Sequence, residues 1–286
     1  MRALVLSGGG VRGAYEVGVL KRLFELGAWY DLYAGVSVGA LNAAFLAQYN
    51  SPRDRGIQAL EEMWKGLTTA NVYRHWFPPY VAALWKPSLY NSAPLQAMVR
   101  KQISQKAIRA SKNKLRIGAV GLDTGEYRVF DETYSDIPGA VLASSAFPGM
   151  LTPVKLEGQL WTDGGVKSTT PLKAAIDAGA TSIDVVLCSP ATDDSTAFAG
   201  KTTALSVGAR AINLMSDQIE AADLVICGMV NRLVAAGAAP EYRNIELRII
   251  RPDAHSNLPK SPLDFRPSLI AAMIEQGYAD AFRQVV

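Results

Sequence analysis

Two stretches of the chain, "RALVLSGGGVRGAY" and "DLYAGVSVGALNAAFL", follow one pattern: an apolar run without alternation, then glycines, then apolar residues at helical spacing. Unalternating runs suit strands covered on both faces of a mostly parallel sheet, and parallel neighbours need helical crossovers to join them. The expected architecture is therefore a layered α/β domain. The first helix is predicted over Ala14–Leu26, where Val17, Leu20 and Phe24 share a face and Gly27 supplies the stop signal.

Further along, "LRIGAVGLDTGEYRVF" reads as two strands joined at Asp123–Gly125, giving the sheet an antiparallel part. "QLWTDGGV", "TSIDVVLCS" and "EYRNIELRIIRP" supply later strands, with helices around Leu172–Ala178, up to about Ala236, and over the closing "SLIAAMIEQGYADAFRQVV". Residues 1–286 are expected to form a single domain, a length at which one core is still economical. Asn71–Leu95 stands apart, with Tyr73, Trp76, Phe77, Tyr80, Trp85 and Tyr90 among several prolines. It reads as an insertion: either a lid or membrane-docking surface, or a secondary core under a loop.

Composition narrows the function classes. A net charge of +3 with dispersed lysine and arginine lacks the dense basic stripe of a nucleic-acid groove, so no nucleic-acid partner is expected. Cys188 and Cys227 sit in apolar settings without metal or redox spacing and read as core thiols. The opening apolar run is too short for a signal-peptide core, and the uncharged segment from Leu32 to Pro52 is broken by polar residues, so it reads as a buried strand and helix rather than a membrane span. The expected location is cytoplasmic, with or without peripheral membrane contact.

The glycine loop permits two readings. Gly8, Gly10 and Gly13 satisfy GxGxxG between a strand and a helix, but the acidic residue that would hold a ribose at the end of the second strand is missing: Asp31 precedes that strand's apolar core. The same backbone can instead aim several amides at one point and bind an anion, including the oxyanion of a tetrahedral acyl intermediate. Arg12 either steadies the loop, meets a lipid phosphate or makes an ordinary ion pair.

"GVSVG" at 35–39 is a GxSxG elbow in strand–turn–helix context, which makes Ser37 a candidate nucleophile that still needs a base. Only His75 and His255 could complete a serine–histidine pair; His75 lies in the aromatic insertion, while His255 with Asp163 would give the chain order Ser, Asp, His. Asp163, in "WTDGGV", can also act alone as base if a dry site raises its pKa.

Four blocks in this order, "GGGVRG" at 8–13, "GVSVG" at 35–39, "ASSAFPGM" at 143–150 and "DGGV" at 163–166, resemble the patatin-like phospholipase family. The resemblance runs from Ala3 to at least Val166, and "DFRPSLIAAMIEQGYADAF" is similar to the family's closing segment. It implies a three-layer α/β/α sandwich with a mostly parallel central sheet, and hydrolysis of lipid acyl esters by a Ser-Asp dyad through an acyl-serine. Carried over by position, Ser37 is the nucleophile, Asp163 the base, and Gly8, Gly9, Gly10, Arg12 and Gly13 the oxyanion region. "ASSAFPGM" becomes a wall of the site in which Ser144 and Ser145 need no chemistry of their own. No cofactor or metal is implied, and the partner is a phospholipid or other acyl-ester lipid. A Ser-Asp-His esterase or thioesterase using His255, and a catalytically silent lipid-binding regulator, are the alternatives.

Overall fold

The structure is a computed structural model that describes residues 1–50, 55–76, 85–191, 204–253, 256, 258–259 and 261–285. The strands are β1 (Arg2–Leu6), β2 (Leu32–Val36), β3 (Arg74–His75), β4 (Tyr90–Asn91), β5 (Lys114–Gly121), β6 (Tyr127–Asp131), β7 (Val154–Leu156), β8 (Gln159–Asp163), β9 (Ser182–Val186) and β10 (Glu246–Ile250). The helices are α1 (Gly13–Glu25), α2 (Val38–Ala47), α3 (Ile57–Lys65), α4 (Thr69–Val72), α5 (Ala93–Gln102), α6 (Gln105–Ser111), α7 (Ile137–Ser144), α8 (Leu172–Asp177), α9 (Ala204–Ala235) and α10 (Pro267–Val285).

The main sheet has the order β10-β9-β1-β2-β5-β8-β7, with β6 also on β5. From β10 to β5 every pair is parallel, while β6, β7 and β8 join antiparallel. Side-chain alternation along β1 divides the core in two: Leu4 and Leu6 pack with α1, α2 and α10, whereas Ala3 and Val5 pack with α8 and Cys227 of α9. The expected three layers follow, with apolar side chains on both faces of the central strands. Both cysteines are buried, as their apolar settings predict.

The first helix falls within a residue of its predicted bounds, and Gly27 ends it in the left-handed region at φ 83°. The aromatic insertion resolves into α4, the two-residue ladder of β3 with β4, and the start of α5. The Tyr73 and Tyr90 rings meet at a tilt of 40° with their centroids 4.4 Å apart, and Trp85 is 82% exposed. Phe77 and Tyr80 lie outside the described residues. No helix among the described residues is long and apolar enough to cross a membrane.

Candidate active site

The site is set by strand register on β5. Along one edge of β5, Val36 at the end of β2 pairs with Gly118 in parallel, and the next residue, Ala119, pairs with Asp163 at the end of antiparallel β8. The opposite edge is taken by β6, which pairs Arg116–Val120. Two strands thus end head to head over neighbouring residues of one template, and Ser37 and Asp163 meet there although they are far apart in sequence. The approach is close enough that a Cβ on Gly164 would lie 2.3 Å from the Gly118 carbonyl and 3.1 Å from the Val36 side chain. Only glycine fits after Asp163.

Ser37 sits at φ 56° and ψ −125°, in the positive-φ region that a residue with a side chain enters only when its surroundings hold it there. The flanking glycines explain the turn's tightness, because a Cβ on Gly35 would lie 2.2 Å from the Gly39 carbonyl. Two serines at the end of α7 hold the strained peptide from both sides. Ser37 N–H donates to Ser144 Oγ at 2.9 Å, and that hydroxyl donates to the Gly118 carbonyl at 2.6 Å. Ser145 Oγ–H donates to the Ser37 carbonyl at 3.2 Å and to the Val141 carbonyl at 2.8 Å. The backbone of Ser37 is pinned while its hydroxyl, at the N-terminal end of α2, faces a cavity.

Asp163 is 3% exposed. Its Oδ1 accepts from Gly165 N–H at 2.8 Å, while Oδ2 is buried without a partner that meets hydrogen-bond geometry among the described residues. Burial pushes the carboxyl up to about 6; the nearby Ser37 hydroxyl and the Gly165 amide oppose that rise by stabilising the charge. An unpartnered carboxylate oxygen beside a serine hydroxyl is a proton acceptor in waiting.

The glycine loop lies against the same cavity. Gly8 N–H donates to the Thr169 carbonyl and Val11 N–H to the Pro262 carbonyl, whereas the Gly9 and Gly10 amides have no acceptor among the described residues. The loop is pressed close on its back, since a Cβ on Gly9 would lie 2.4 Å from the Cys188 Cβ. Arg12 lines the cavity and donates to the Pro259 carbonyl at 3.2 Å. Asp31 lies at the opposite end of β2, accepting from Arg2 N–H, which removes it from any ribose-binding position.

Beneath the loop is a polar network that the sequence reading missed. Buried Asn42 donates to Glu16 Oε2 and the Gly13 carbonyl and accepts from Trp64 Nε1–H, and the Cys188 thiol donates to Glu16 Oε1. Burial pushes Glu16 up to about 8, so near neutral pH it is largely protonated and costs little to keep inside. This network joins the segment after β9 to α1, α2 and α3 behind the glycines.

The cavity encloses about 380 Å³. Beyond the polar corner made by Ser37, Asp163 and the glycine loop, its apolar walls are Leu41, Trp64, Leu67, Val72, Leu95, Met98, Phe147, Met150, Leu151 and Phe265, and α9 lines another side with Arg210, Ile212, Ser216 and Asp217. The "ASSAFPGM" block does form one wall, through Ser145, Phe147, Pro148 and Met150. His75 is exposed, 5.3 Å from the Tyr90 ring centroid and outside the cavity lining; His255 lies outside the described residues. Among the described residues no three histidine, cysteine or acidic side chains form a metal-binding group.

A family model described as patatin-like phospholipase matches residues 4–176. The chain is 30% identical over 190 residues to the uncharacterized protein YqhO of Bacillus subtilis, covering 59% of this chain and 64% of that one. It is 26% identical over 202 residues to a cGAMP-activated phospholipase of Vibrio cholerae, covering 60% and 55% of the two. Against calcium-independent phospholipase A2-gamma of Oryctolagus cuniculus it is 26% identical over 204 residues, 62% of this chain and 25% of that one. The chain therefore spans less than two thirds of each of these relatives. Among solved structures, VipD from Legionella pneumophila covers 99% of this chain and 66% of its own at a TM-score of 0.45 and 13% identity.

Proposed function

The chain belongs to the patatin-like phospholipase family, and on that footing we propose that it is a lipid acyl hydrolase in which Ser37 and Asp163 act as a dyad. One observation carries the reading: the β5 register sets Ser37 beside a buried Asp163 whose Oδ2 has no hydrogen-bond partner among the described residues. The apolar cavity beyond them suits an acyl chain.

In the reaction, Ser37 Oγ bonds to the ester carbonyl carbon as its proton passes to Asp163 Oδ2. The Gly9 and Gly10 amides meet the developing oxyanion, while Gly8 and Gly13 shape the loop and Arg12 braces it. Asp163 returns the proton to the departing alcohol oxygen as the ester C–O bond breaks, leaving acyl-Ser37. Water then attacks the acyl carbon, gives its proton to Asp163, and Ser37 recovers that proton as the fatty acid leaves.

The same reading makes residues 1–286 one domain: β10 and α10, beyond the family match, pair with β9 and pack on α1. It also makes a lipid surface the source of substrate.

The test is hydrolysis of p-nitrophenyl butyrate and of phosphatidylcholine vesicles as a function of pH. The base must be ionised to act and its pKa is raised, so kcat/KM is expected to climb with pH through about 6 and then level. Asp163 ionises only against its burial, so its contribution to stability is complete below the ordinary carboxylate range and is lost as pH rises through about 6. The active form of the site is thus its less stable form. His255→Ala is expected to leave the profile unchanged; loss of activity there would install histidine as the base. No hydrolysis of either substrate would leave the silent lipid binder.

Ser144 is a positioning residue in this scheme. Ser144→Ala removes the acceptor for Ser37 N–H and is expected to lower kcat about ten- to a hundred-fold with KM little changed, at a stability cost of about 1–3 kcal/mol. A purely structural role would lower stability without the kcat loss.

A further inference from the structure

Between Arg210 and Arg232, helix α9 turns its acidic side chains inward and a stripe of apolar ones outward, the reverse of an ordinary surface helix. Val207, Leu214, Met215, Val225, Ile226 and Met229 are between 48% and 64% exposed. At helical spacing they share, with Ala211, Gln218 and Ala221, an arc of about 140°. Between Arg210 and Arg232 that arc carries no charged residue, because Asp217, Glu220 and Asp223 all lie on the opposite side. Asp217 lines the cavity, Glu220 is 4% exposed, and Asp223 accepts from the Ser168 hydroxyl at 3.1 Å. An exposed apolar stripe of this length is a docking surface rather than a solvated one.

Its position says what covers it. Ile212 and Ser216 of the same helix line the cavity, and the Gly164–Val166 turn packs against α9. Val166 in that turn both lines the cavity and is 43% exposed, so beside α9 the cavity is bounded by an apolar side chain that also meets solvent. Elsewhere on the cavity wall, the Tyr90 amide bonds to the carbonyl of Met150, and the Leu89 amide to that of the preceding Gly149. A protein seated across this rim would cover the mouth; a bilayer there supplies the substrate through it.

We propose that the outward face of α9 docks the protein on a bilayer, with the cavity mouth at the lipid surface, an inference that rests on the lipid acyl hydrolase reading. The uncharged arc gives the docking a particular signature. Binding draws on apolar insertion rather than on phosphate attraction, so it needs no anionic lipid and resists salt.

The test uses the full chain with Ser37→Ala, so that lipid is not consumed, and flotation with phosphatidylcholine vesicles at low and high salt. The parent is expected to float equally at both. Adding Leu214→Gln, Met215→Gln, Val225→Gln and Ile226→Gln is expected to reduce partitioning about ten-fold or more, with circular dichroism unchanged. If the fourfold variant fails to fold, Met215→Gln with Ile226→Gln is read the same way, with about three-fold loss expected. No flotation of the parent, equal flotation of parent and variant, or binding abolished by salt would overturn the proposal. So would a parent dimer by analytical ultracentrifugation that the four substitutions dissolve, since the stripe would then cover a second copy. Hydrolysis of soluble p-nitrophenyl butyrate by the otherwise wild-type protein, with and without the four substitutions, separates the two readings. Absence of that activity with flotation intact defeats the hydrolase alone, and intact activity without flotation defeats the docking face alone.

Discussion

Ser37→Ala is expected to lower kcat for ester hydrolysis by about ten-thousand-fold or more, and Asp163→Asn by about a hundred- to ten-thousand-fold. The double variant is expected to be no slower than Ser37→Ala, because a base with no nucleophile to activate contributes nothing further. Steady-state kinetics on p-nitrophenyl butyrate read all three, and additive losses would show two residues that do not act as a unit. Asp163→Asn carries a second expectation. Asp163 loses hydration on folding and its pKa rises to about 6, so the neutral amide avoids the cost of burying a charge. Above that pH, Asp163→Asn is expected to be at least as stable as the parent in urea unfolding. A residue kept for structure would show the reverse, with activity spared and stability lost.

The elbow and the glycine loop were legible in the sequence because both need residues that tolerate close backbone approach, and those residues are glycines at fixed spacing. The meeting of Ser37 with Asp163 was not legible from local pattern. It depends on β2 and β8 sharing one edge of β5 end to end, and a strand register between distant segments leaves no periodic mark. The residues offered Asp163 as a candidate base and the resemblance paired it with Ser37; the register is what brings the two strand ends together. Ser144 and Ser145 were read as part of a wall of the site with no chemistry of their own, and the structure gives both a bond to the backbone of Ser37. Two hydroxyls at the end of the otherwise apolar "IPGAVLASS" were the available signal, since a buried hydroxyl must find a partner. Glu16 and Asn42 escaped notice for a related reason: on helices otherwise apolar on that face they look like solvent positions, and only the fold turns them toward each other. In α9 the helical period was visible, but the side facing solvent was not, because the reversal of charged and apolar faces is fixed by what the helix covers.

Gly18→Val is expected to cost about 3 kcal/mol or more, among the larger effects available without touching the site. Helices α1 and α10 cross with backbone against backbone: a Cβ on Gly18 would lie 1.9 Å from the Ile274 carbonyl oxygen, and one on Gly277 would lie 2.0 Å from the Tyr15 carbonyl oxygen. Neither neighbour is a side chain that can swing aside, so the helices must separate along a fully buried seam. The outcome bears on the reach of the fold as well as its stability. Gly18 lies within the family match at residues 4–176 and its obstacle lies nearly a hundred residues beyond that match. If residues 1–286 unfold as one unit, urea denaturation of Gly18→Val is expected to shift a single transition to lower denaturant with its slope unchanged. A variant in which α10 detaches while the rest stays folded would instead show a second, earlier transition. Because α1 begins at Gly13, directly after the glycine loop, a forced separation at the crossing also moves the amides proposed to meet the oxyanion. Ester hydrolysis by Gly18→Val, measured where the variant remains folded, is therefore expected to fall in kcat more than in KM.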